Sequence, residues 1–161
     1  MTKPHGIPKG RPGQAGPEER DPVTVVLTQD EAFRGGNIDT ELWITTLFFP
    51  LIMLVDGHPV SIQDPETATS HLRKLGQAAR ELGVAALRTR ILSHVQPAPD
   101  LSILCSIRDR LDQDGAVLAS TSMTWTLMQV GTDWKITQIL FDENRFDRSV
   151  TNLMRRRNDM T

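Results

Sequence analysis

The sequence predicts an α+β domain: a curved antiparallel sheet packed on N-terminal helices and enclosing an apolar pocket. Three observations predict it. The apolar period changes from 3.6 to 2 at Gly83. Asp-Pro pairs at Asp21-Pro22 and Asp64-Pro65 punctuate the first half as helix starts. The alternating segments after Gly83 are apolar on one side, so they need a cover, and the preceding helices supply one.

The elements follow in order. Residues 1–20 hold four Pro and four Gly without apolar periodicity and are expected to form a flexible tail. From Asp21-Pro22 a helix is expected to reach Arg34, with Val26 and Phe33 on its apolar side and Gly35-Gly36 ending it. Its valines, Val23, Val25 and Val26, suit a strand equally well. Asp39 caps a short helical stretch over residues 40–46 that carries Leu42 and Trp43. Leu47 to Ile62 reads as two strands joined at Asp56-Gly57-His58-Pro59, since Asp-Gly between apolar flanks is a strong hairpin signal.

Asp64, Pro65 and Glu66 open the clearest helix. Ala68, Leu72, Leu75, Ala79 and Leu82 recur at helical spacing and Gly83 closes it, which gives one buried stripe. Four strands are then expected over residues 86–95, 101–111, 116–130 and 134–142. In the second, Leu101, Ile103, Cys105 and Ile107 are expected to face inward, with Ser102, Ser106, Arg108 and Arg110 mostly opposite. In the third, Val117, Ala119, Met123, Trp125 and Leu127 share the inner face. The domain is expected to span residues 21–145, followed by a basic tail or short helix over 146–161.

Composition narrows the function classes. At 161 residues the chain is one domain's worth, with an ordinary 39% hydrophobic and 24% charged residues. The longest apolar run, Leu47 to Val55, is interrupted by Pro50 and too short to span a bilayer. The first twenty residues lack the apolar core of a secretory signal, and the lone Cys105 cannot form an internal disulfide. Both point to the cytoplasm. A net charge of −2 favours no polyanion. Lys3, Lys9, Arg11 and the run Arg155 to Arg157 lack interleaved aromatics, so nucleic acid is not an expected partner.

The helix ending EAFRGGNIDTELWITTLF, the strand-turn LIMLVDGHPVSI, the helix DPETATSHLRKL and the last hairpin GTDWKITQILFDE together resemble the nuclear-transport-factor-2-like superfamily, which includes SnoaL-like proteins and ketosteroid isomerase. The resemblance covers roughly Pro22 to Asp142. It implies the cone-shaped fold, and its members span isomerases, cyclases, dehydratases and accessory subunits, so fold does not select a function.

By resemblance to ketosteroid isomerase, Asp56 falls at the general-base position, beside apolar walls such as Val55. The positions matching that enzyme's oxyanion donors fall near Gln29 and Met123, and the chain has no Tyr, so half the mechanism is missing. A turn aspartate explains Asp56 without chemistry. His58 stands two residues on and could relay a proton, or be an exposed turn imidazole. Asp109, between Arg108 and Arg110, alternates onto the Ile103, Cys105 and Ile107 face, or emerges into water near the turn at Gln113. His5, His71 and His94 show no metal-binding spacing with His58, and no cofactor or metal is expected. His71 falls on the solvated side of its helix.

The expected pocket residues are Phe33, Trp43, Ile103, Cys105, Ile107, Met123 and Trp125, although at strand spacing Met123, Trp125 and Cys105 suit plain core as well. Thr124, Thr126 and Met128 alternate without charge on the outer face, where a homodimer is expected. The expected function is binding of a small apolar molecule or an accessory role. An isomerase, cyclase or dehydratase using Asp56 and a structural dimer module with a filled interior are the alternatives.

Overall fold

The computed structural model describes residues 20–55 and 57–142. Asp56, the N-terminal tail before Arg20 and the basic C-terminal segment lie outside the described residues. The chain runs α1 (Pro22–Ala32), β1 (Phe33–Arg34), β2 (Asn37–Ile38), α2 (Thr40–Ile44), β3 (Leu47–Val55), β4 (His58–Ile62) and α3 (Pro65–Leu82). The strands β5 (Ala86–Ala98), β6 (Leu101–Leu111), β7 (Val117–Val130) and β8 (Asp133–Asp142) follow.

The capping residues act as their chemistry dictates. Asp21, Asp39 and Asp64 each accept the backbone N–H three residues on, at 2.7, 3.0 and 2.7 Å. Val25 and Val26 are fully buried on a helix, so burial rather than β-propensity decides α1. The helix stops at Ala32, earlier than expected. Phe33 and Arg34 instead pair with Ile38 and Asn37 across a turn in which Gly35 and Gly36 both take positive φ, the conformation of a tight hairpin. Arg20, expected in the tail, is held as well: Nη2 meets Asp133 Oδ2 at 2.9 Å and the side chain donates to Thr45.

Six strands form one sheet in the order β4-β3-β8-β7-β6-β5. The expectation of a wholly antiparallel sheet is corrected at one seam, because β3 pairs parallel with β8. That pairing needs the long crossover through α3 and the β5–β8 meander, and no local pattern reports it.

β6 is also corrected. Ser102, Leu104, Ser106 and Arg108 are buried on the concave side, whereas Ile103, Cys105 and Ile107 face outward and are partly exposed. The inner face asks for polar atoms here. Ser106 accepts the indole N–H of buried Trp125 at 2.8 Å, and Ser102 meets His94. β7 keeps its expected phase from Ala119 onward, with Ala119, Met123, Trp125 and Leu127 inside, but Val117 is corrected: it pairs with Leu111 across a register shift and is exposed. Among the described residues no helix is long and apolar enough to cross a membrane.

Candidate functional site

Helix α3 lies over the concave face of the sheet but does not fill it. Between them is a cavity of about 270 Å³. The stripe Ala68, Leu72, Leu75, Ala79 and Leu82 is therefore cavity wall on one side, and Leu47, Leu51 and Met53 of β3 with Ile139 and Phe141 of β8 form much of the other. The volume lies just below the roughly 300–1,000 Å³ of common small-molecule sites.

The polar part of the wall comes from β6 and α1. Arg108 is only 6% exposed. Its Nε donates to Thr89 Oγ1 at 2.8 Å and its Nη1 to Gln29 Oε1 at 3.2 Å. Gln29, itself buried, donates from Nε2 to Thr46 Oγ1 at 3.1 Å. Nη2 of Arg108 sits 3.3 Å from Asp30 Oδ1 yet has no hydrogen-bond acceptor among the described residues. Asp30 in turn accepts the Thr89 backbone N–H at 2.6 Å and the Thr89 hydroxyl at 2.8 Å.

Arg110 follows two residues on along β6, on the same face, and donates from Nη1 to Thr121 Oγ1 at 2.9 Å. Burial lowers the Arg108 pKa to about 10, Asp30 opposing this and the charge of Arg110 adding to it; burial lowers Arg110 too. Both guanidiniums remain charged at neutral pH.

Of the expected pocket residues, Phe33, Trp43 and Met123 line the cavity. Trp125 does not: it is fully buried beneath Arg108 as core. Ile103, Cys105 and Ile107 are on the opposite face of the sheet, a consequence of the reversed phase of β6. Asp109 shares that outer face, buried under Arg88 and Arg90 and accepting the Ser120 hydroxyl at 2.6 Å, so it does not reach the cavity. His58 is exposed at the start of β4, opposite Val55, and is not part of the wall. His71 is exposed, as expected, and stands at the rim.

Among the described residues no carboxylate lines the cavity. The wall can hold an apolar body and meet a negative group with guanidinium N–H donors. Charged guanidiniums do not accept protons, so Arg108 and Arg110 supply no base. Sequence reasoning missed both arginines by turning them outward. The signal available was their spacing, two cations one alternation apart with Asp109 between them, so that one face of the strand carries both positive charges.

No protein-family model and no curated protein sequence matches the chain. Solved structures do. An NTF-2 like protein of unknown function from Shewanella oneidensis is 13% identical with a TM-score of 0.57, over 74% of this chain and 93% of that one. A putative ketosteroid isomerase from Shewanella frigidimarina is 18% identical with a TM-score of 0.54, over 81% and 98%. A protein from Nostoc punctiforme described as a domain of unknown function with a cystatin-like fold is 8% identical with a TM-score of 0.59, over 84% and 93%. With helices packed on a curved, unclosed mixed sheet and these structures alongside it, the chain has the nuclear-transport-factor-2-like fold.

Proposed function

We propose that this protein is a small-molecule-binding module whose ligand occupies the cavity between α3 and the sheet. The observation that carries the reading is the apolar volume of about 270 Å³ left open beside a fully buried Trp125. A structural module would fill that space, because each unfilled void forfeits packing energy. No carboxylate is among the described lining residues and the one imidazole, His71, is exposed at the rim, which favours binding over proton-transfer chemistry.

A neutral environment-sensitive dye, N-phenyl-1-naphthylamine, tests it. Saturable fluorescence enhancement is expected with the wild type and is lost in Ala79→Leu, whose added side chain points from α3 into the cavity. Circular dichroism checks that the variant is folded. Absence of saturable enhancement with the wild type removes the reading.

The outer face of the sheet supports a second part of the proposal, pairing of two copies. Val95, Met128 and Leu140 are 57%, 43% and 38% exposed there, beside the outward Ile103, Cys105 and Ile107.

A further inference from the structure

We propose that the ligand is a small apolar acid whose carboxylate is held by Arg108 and Arg110; this rests on the binding reading above. Four observations lead there. The cavity wall is almost wholly apolar, so the body of the ligand is apolar. The charged side chains on that wall, apart from His71 at its rim, are two guanidiniums, with no carboxylate among the described lining residues. Arg108, 6% exposed, has one carboxylate neighbour, Asp30 at 3.3 Å from Nη2, whereas Arg110 forms no ion pair among the described residues. Arg110 presents a second guanidinium from the same face of the same strand, about 7 Å along it.

Two like charges side by side in a poorly solvated site repel each other, and Asp30 offsets only one of them. An incoming anion relieves that repulsion, and Arg110, which has no ion-pair partner among the described residues, is the guanidinium it would pair with first. Planar guanidinium donors match the two oxygens of a carboxylate, which selects this head group over an alcohol or an amine. The cations Trp43 and Trp125 face are also those of Arg108, with the guanidinium carbon 5.8 and 4.9 Å from the ring centres. The rings hold the Arg108 guanidinium by its faces while Thr89 and Gln29 hold its edge, so its charge is fixed in place at the cavity wall and Arg110 is the less tethered of the two donors.

The test uses matched pairs on the full chain: octanoate against octanol, and 2-naphthoate against 2-naphthalenemethanol, by calorimetric titration at neutral pH. The acid of at least one pair is expected to bind roughly tenfold to a hundredfold more tightly than its alcohol, the range of a charge-assisted hydrogen bond. Arg110→Gln removes one cation without touching the Asp30 and Thr89 network and is expected to erase most of that preference. Arg108→Gln is the second variant, with its fold checked by circular dichroism.

If the neutral dye and the alcohols bind but the acids gain nothing, the head-group proposal is overturned while the cavity reading stands. If acids gain equally in wild type and Arg110→Gln, and in a folded Arg108→Gln, the arginines are not the cause and the proposal also falls. If neither dye, alcohol nor acid binds, it is the binding reading itself that has failed.

Discussion

The guanidinium carbon of Arg108 lies 4.9 Å from the centre of the Trp125 ring, and that indole spends its own N–H on Ser106 Oγ at 2.8 Å. The charge thus rests on an aromatic face with its edges bound to Thr89 and Gln29 and its far nitrogen beside Asp30. This ties β6 to α1 and β5 at the polar side of the cavity wall.

Removing one partner of a buried ion pair is costly because the other charge is left uncompensated. Arg108→Leu is therefore expected to lower stability by about 3 kcal/mol, the low end of the usual range, since Asp30 keeps both Thr89 hydrogen bonds. Urea unfolding measures it. The double variant with Asp30→Asn should lose less stability than the sum of the two single losses. A loss below about 1 kcal/mol for Arg108→Leu would show that the network does little for the fold.

Much of the fold is legible in the sequence because its signals are local. Asp21, Asp39 and Asp64 cap helices by bonds that span three residues, and Gly83 ends α3 at φ 72°. The parallel seam between β3 and β8 is different, for it joins segments whose partners, such as Met53 and Ile139, lie far apart in the chain. The phase of β6 is hidden for another reason. Alternation reports period but not direction when both faces carry apolar side chains, and the outward Ile103, Cys105 and Ile107 are more apolar than the inward Ser102, Ser106 and Arg108. The same reversal concealed the arginines of the site, while Phe33 on the apolar side of the first helix, Trp43 in the short second one and Met123 by strand alternation are legible and line the cavity.

Asp109 makes a pH prediction. Burial raises its carboxyl, but hydrogen bonds from Ser120, Arg88 and Arg90 and the charge of Arg90 outweigh that and hold it below its ordinary value. A group lowered in the folded state stabilises the protein above its unfolded value, about 3.9, and loses that contribution as pH falls through the folded value. The urea midpoint of the wild type should therefore drop below about pH 4, and the drop should be shallower in Asp109→Asn. Parallel curves for the two proteins would contradict this.

Gly76 decides between two opposing effects. An alanine there favours an isolated helix by about 1 kcal/mol. In α3, however, a Cβ on Gly76 would lie 2.5 Å from Gly36 O, where Arg80 Nη1 also donates at 2.7 Å. The obstacle is backbone of the β1–β2 hairpin, which cannot swing aside as a side chain does. Gly76→Ala should thus destabilise by about 1–3 kcal/mol, read as a lower Tm. An unchanged or higher Tm would mean the helix and hairpin separate easily.

The outer face of the sheet predicts an oligomeric state. Ile103, Cys105, Thr124, Thr126, Gln138 and Leu140 succeed one another across β6, β7 and β8 with no ionisable charge among them. A two-fold pairing centred on these residues removes apolar side chains from water and leaves Arg88 and Arg90, on the edge strand β5, at its margin. Analytical ultracentrifugation should give twice the chain mass. Thr126→Glu, at the middle of this face and outside the core, places a carboxylate opposite its own copy near the two-fold axis and should yield monomer with little change in Tm. A wild type that sediments as a monomer at all concentrations removes the pairing, and a variant that stays dimeric moves the interface to another face.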